Sequence, residues 1–173
     1  MTTAKLIGAG LFLALASTAT SAQSSTPALI QQFKDWGAYS YKESDGKVCF
    51  AISTPKKKLP KLPRGREHGD VYFFVSAWAS HDTYAEPHFL VEYALKKNSR
   101  VKVDIDGDKF DFYTQGEGAW AVDDKEEAKV IEAMKKGRTM TVQAISRRGT
   151  NTKYVYSLSG VTAAIDAVGK ACK

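Results

Sequence analysis

Between Arg100 and Phe112 the chain keeps a strict two-residue rhythm. Val101, Val103 and Ile105 alternate with Lys102, Asp104 and Asp106, and the chain turns at Asp106-Gly107 into Phe110 and Phe112. Side chains of a strand point alternately to its two faces, so this segment is a hairpin with one buried and one wet face. Other segments repeat the signal. Trp36 to Tyr41 and Val48 to Ser53 flank a turn at Ser44-Asp45-Gly46. Val71 to Ala79 is apolar on both faces, as a central strand requires, and Pro87 opens a strand through Leu95. Arg138 to Ser146 and Tyr154 to Leu158 bracket a turn at Arg148-Gly149-Thr150-Asn151.

Two helices interrupt the strands. Asp123 and Asp124 cap the first, Glu126 and Glu127 lie in its first turn, and Lys135, Lys136 and Gly137 end it. Ala128, Ile131 and Met134 are its expected apolar face. The second begins near Ser159 and sets Val161, Ile165, Val168 and Cys172 on one side. With no βαβ alternation and no repeat, the expected fold is mainly β: an antiparallel β-sandwich or barrel-like domain with two short helices, the second C-terminal.

The N-terminus sets the expected compartment. Lys5 precedes an apolar run from Leu6 to Ala16, and Thr20-Ser21-Ala22 offers the small residues a signal peptidase needs. Residues 1–22 therefore read as a cleaved signal peptide, its apolar core too short to span a bilayer. Residues 23–173 read as a single exported domain, periplasmic, outer-membrane associated or secreted, with no transmembrane segment. Both cysteines, Cys49 and Cys172, fall in the exported part, where an even pair forms a disulfide. A redox pair would want closer spacing, and a metal site more ligands.

The full chain carries a net charge of +6. That balance fits attraction to anionic surfaces, and it concentrates in the run KKKLPKLPRGR, which holds Lys56, Lys57, Lys58, Lys61, Arg64 and Arg66 and no acid. With Pro55, Pro60 and Pro63 it cannot form a regular helix or central strand. It reads either as a solvated connection or as an exposed docking segment for an anionic lipid or glycan. Nucleic acid is not an expected partner of an exported chain without a recognised binding module.

Candidate chemistry is sparse. His81, Asp82, Glu86 and His88 are residue types that ligate metals, yet their spacing matches no helical metal motif. Asp104-Ile105-Asp106-Gly107-Asp108 superficially resembles a calcium loop but has Lys109 and Gln115 where Gly and Glu are needed. No serine sits in a nucleophile elbow. The expected set of catalytic residues, metals and cofactors is empty, and a periplasmic hydrolase or metal enzyme built on the His81 to His88 region is the alternative.

Several segments together resemble the invasion-associated locus B family of alphaproteobacterial exported proteins. They are Phe33-Lys34-Asp35-Trp36, Val48-Cys49-Phe50, and Gln115-Gly116-Glu117-Gly118-Ala119-Trp120. Ala133 to Gly137, Ser146 to Thr152, and Tyr156 to Gly160 follow, with a helix closing on Cys172. Lys153 and Val161 stand where family members often carry an acid and Phe. The resemblance implies an exported β-rich protein engaging a surface partner, with a role in host-cell interaction or envelope integrity, and it implies no catalytic residues.

Overall fold

The computed structural model describes residues 26–80 and 85–173. The signal-peptide reading, and His81 and Asp82, lie outside the described residues. The strands are β1 (Ala28–Phe33), β2 (Trp36–Glu43), β3 (Gly46–Ser53), β4 (Lys57–Leu59), β5 (Val71–Trp78), β6 (Glu86–Val91), β7 (Arg100–Ile105), β8 (Asp108–Gln115), β9 (Gly118–Trp120), β10 (Thr139–Ile145) and β11 (Asn151–Ser157). The helices are α1 (Asp124–Lys136) and α2 (Val161–Ala171). All eleven strands form one sheet in the order β1-β2-β3-β5-β6-β9-β8-β7-β10-β11-β4, with every neighbouring pair antiparallel.

The fold is mainly antiparallel β with a C-terminal second helix, as expected. Between sandwich and barrel it takes a middle course: the sheet is not closed, but its inner face folds over on itself. Phe73 of β5 sets its ring 6.2 Å from Phe112 of β8 and 6.0 Å from Tyr156 of β11, and Phe89 of β6 lies 5.6 Å from Tyr154. Trp36 of β2 is fully buried and donates its indole N–H to the Ser157 carbonyl at 2.9 Å. Alternation decides who enters. Val101, Val103, Ile105, Phe110 and Phe112 are buried, as their rhythm requires.

Details differ from expectation, among them the start of β11 at Asn151 rather than Tyr154. The strand opened at Pro87 stops at Val91, because Glu92 turns to Asp70, its backbone N–H meeting the Asp70 carbonyl and its carboxylate accepting from the Asp70 N–H. Leu95 survives only as a lone bridge to Ser146. The buried face of α1 is Val130, Ala133 and Met134, whereas Ala128 is exposed; the larger Val130 wins the inward position at the same three-four spacing. Three short strands, β1, β4 and β9, give no alternating signal.

The helices lie together at one side. Asp123 caps α1 by accepting from the Glu126 N–H, and Lys135 bridges to Asp166 of α2 at 2.9 Å. Helix α2 packs against β1, β2, β3 and β5, and Lys47 donates to the Ala171 carbonyl at its C-terminal end, where a cation is favoured. Cys172 is bonded to Cys49 of β3.

Candidate functional site

Of the cluster His81, Asp82, Glu86 and His88, the described members are Glu86 and His88. Glu86 and His88 point outward from β6 into a row of rings that crosses the sheet. His88 lies parallel to Phe74 at 4.9 Å and to Trp120 at 6.1 Å, and Trp120 stacks in turn on Tyr113 at 6.0 Å. Direct cross-strand pairing brings these residues into contact. The rings stack along the row, with Tyr113 exposed at its end.

Burial outweighs the hydrogen bond of His88 to the Glu86 backbone carbonyl, and the His88 pKa falls to about 4; the Glu86 carboxylate lies 3.7 Å from His88 Nδ1. The ring is neutral near neutrality, and the approach of Glu86 is then not an ion pair. Burial raises the Glu86 pKa, partly offset by a hydrogen bond from Trp120. In the unfolded chain His88 titrates at its ordinary value of 6.5. Acid therefore protonates the unfolded state first, and stability is lost as pH falls below that value. Burial and neighbouring Glu86, Asp124 and Asp123 raise Glu127 to about 6, which gives the opposite slope, stability falling as pH rises through that range. His88→Phe keeps a ring in the stack. Urea unfolding is expected to show it more stable than wild type by about 2 kcal/mol at pH 5, with the gain gone at pH 7.5. An equal difference at both values would refute the neutral, buried imidazole.

The aspartates that superficially resemble a calcium loop are occupied by backbone. Asp104 accepts from the Gly107 N–H, and Asp106 accepts from the N–H groups of Arg138 and Thr139. Among the described residues no group of three or more His, Cys, Asp or Glu is arranged to hold a metal.

The basic run is an exposed loop that begins as the edge strand β4, paired to β11. Its base is cinched: Lys58 Nζ donates to the Gly69 carbonyl at 2.6 Å, and His68 Nε2 meets the Pro60 carbonyl at 2.9 Å. Lys56 pairs with Asp35 at 2.5 Å and holds that carboxyl below its usual range. Lys57, Lys61, Arg64 and Arg66 have no carboxylate within ion-pair distance among the described residues. The six cations thus divide into two that build the loop and four that it presents.

Beside the loop lies a groove of about 570 Å³ that no local spacing announced. Its walls are Arg66, Glu67 and His68 on one side and Ser146 to Thr152 on the other, with Glu92, Tyr93 and Glu117 between. Backbone bonds fix the second wall: Arg147 N–H donates to Ala94, and the Thr150 N–H to the Ser146 hydroxyl. A chain of hydroxyls runs along the floor. His68 Nδ1 is 3.1 Å from the Tyr154 hydroxyl, which is 2.9 Å from Tyr93, which is 2.8 Å from Thr152, whose hydroxyl donates to the Ala144 carbonyl. The Pro60 carbonyl can only accept, so His68 donates to it from Nε2. Burial, then the Tyr93 bond, raises the Tyr154 pKa, keeping the phenol protonated.

The Bartonella henselae invasion associated protein B crystal structure superposes with a TM-score of 0.55 over 80% of this chain and 94% of its own, at 14% identity, and shares the fold. No curated protein matches the sequence. The family model for Invasion associated locus B (IalB) protein matches residues 72–169, from β5 into α2, a span that takes in Tyr93, Arg147 and Tyr154 but not the basic loop. With more than half of its length matched, the chain belongs to the IalB family.

Proposed function

We propose that this chain is an exported, non-enzymatic envelope protein that docks on an anionic surface through its basic loop. The observation that carries the reading is the division of charge: Lys57, Lys61, Arg64 and Arg66 stand exposed and without acidic partners on a loop tied at its base. A tied loop loses little freedom when it binds, so more of each contact survives as affinity. Each cation near an anionic membrane contributes about 1 kcal/mol, and screening over about 8 Å makes the attraction salt-dependent. The disulfide fits the oxidising compartment to which cleavage before Gln23 would deliver the chain. The enzymatic alternative draws no support from His88, whose ring is held between Phe74 and Trp120. Among the described residues no helix is long and apolar enough to cross a membrane. At the bacterium's own envelope such docking serves integrity, and at a host surface it serves contact.

Co-sedimentation with phosphatidylglycerol vesicles tests the docking. Lys57, Lys61 and Arg64 changed together to Ser are expected to weaken binding at least tenfold at 0.15 M salt, and wild-type binding to fade as salt rises. Equal binding by the two proteins, or binding indifferent to salt, would overturn the reading.

A further inference from the structure

The groove joins features that the loop alone lacks. Arg66, Arg147 and Arg148 reach it from two separate segments, and none has a carboxylate partner among the described residues although Glu67, Glu92 and Glu117 line the same space. Glu92 is held by the Asp70 N–H. The carboxylates of Glu67 and Glu117 make no hydrogen bond or ion pair among the described residues. Unpaired guanidinium and carboxylate groups thus face one concave volume over a floor of ordered hydroxyls.

Those charges select a chemistry. A guanidinium grips a phosphate with two parallel N–H bonds, and two such forks on consecutive residues suit one phosphate group. Carboxylates accept hydrogen bonds from hydroxyls but repel further anions, so three glutamates disfavour a polyanion. A neutral sugar would leave the arginines unanswered, and bare phosphate would leave the glutamates unanswered. A small molecule with one phosphate and several hydroxyls answers both, and the volume suits a saccharide of one or two rings.

We propose that the groove is a binding site for a phosphorylated saccharide. The inference deepens the docking reading, because a phosphorylated sugar is a headgroup that an anionic envelope surface can present; it rests on that reading only for the ligand's source. The phosphate lies against Arg147 and Arg148, with Arg66 closing from the loop. Glu67 and Glu117 take the sugar hydroxyls, and Tyr93 and Thr152 form the floor.

Titration calorimetry on the full mature protein tests the site with glucose 1-phosphate, inorganic phosphate and glucose. Glucose 1-phosphate is expected to bind at least tenfold tighter than inorganic phosphate, and glucose without detectable heat. Arg147→Ser with Arg148→Ser, checked for an unchanged unfolding midpoint, is expected to weaken glucose 1-phosphate at least tenfold. Glu117→Gln removes a repelling charge and leaves a weaker, neutral acceptor, so it is expected to tighten inorganic phosphate while narrowing the preference for the sugar phosphate. The Lys57, Lys61, Arg64 variant separates the two readings: groove binding that persists while vesicle binding is lost keeps both. Displacement of the protein from lipopolysaccharide by soluble glucose 1-phosphate identifies a lipid-borne headgroup. Binding of glucose 1-phosphate without such displacement identifies a free sugar phosphate. Equal affinity for phosphate and glucose 1-phosphate, or an arginine double variant that binds like wild type, overturns the site even where vesicle docking stands.

Discussion

Replacing Cys49 and Cys172 together by Ser is expected to lower the unfolding free energy by about 5 to 6 kcal/mol, of which about 4 to 5 is the chain-entropy value for a loop of about this length. The bond closes a loop across a sequence separation of 123, spanning nearly the whole sheet. Its partners differ in burial: Cys49 is wholly buried on β3, and Cys172 sits at the end of α2. The serine at 49 therefore adds a buried hydroxyl to the entropic loss, and Ala at both positions is expected to recover about 1 kcal/mol of it. Urea unfolding of the Ser and Ala pairs beside oxidised wild type measures both steps. A midpoint unmoved by either pair would mean that α2 is held by packing alone.

The other end of α2 carries the second large effect. Gly160 has φ +95, and a Cβ there would be driven into the backbone carbonyl of Phe33, with the Lys34 side chain close behind. This is where the β1–β2 turn rests on the chain leaving β11, tied by the Asp35 N–H to the Ser159 carbonyl. Gly160→Ala meets both a left-handed backbone, at about 1 to 2 kcal/mol, and an obstacle made of main chain that has no rotamer to change. We expect a loss of about 3 kcal/mol, since forced backbone shifts add further to the conformational cost. Gly107→Ala is the control. Gly107 has φ +111 with nothing within 4 Å of its Cβ position, so it reports the conformational part alone. If the two variants lose the same stability, the turn yields freely and α2 is not clamped at its start.

Where side-chain burial shapes a segment, the sequence shows it. Val101 to Phe112 and the Val161, Ile165, Val168 face are legible because each apolar residue reports its own side. β4 is not, because Lys57, Lys58 and Leu59 are all exposed and the strand is held by main-chain pairing to Lys153, Tyr154 and Val155. In β1 the sequence ALIQQF has no alternation to read, its edge position leaving Leu29 and Ile30 exposed. The run of cations was visible as composition, but its split was not, since Asp35 and the Gly69 carbonyl reach Lys56 and Lys58 only through the fold. The groove is the extreme case. Its residues come from four distant stretches, and Thr152 and Tyr154 alternate like any core strand, so their hydroxyl chemistry is hidden in an ordinary pattern.

An open sheet also has two ends at which another strand can add, and this one guards them differently. At β1 the pairing with β2 slips between Leu29 and Gln31, and an irregular edge is a poor template for a newcomer. At β4 the guard is charge: Lys57 and Lys58 sit on the outermost strand, so a second copy approaching in register meets its own sign. Lysines there protect solubility whether or not a membrane is near. Lys58, which also ties the loop to the Gly69 carbonyl, is left in place in the vesicle comparison, so that the edge keeps one of its two lysines.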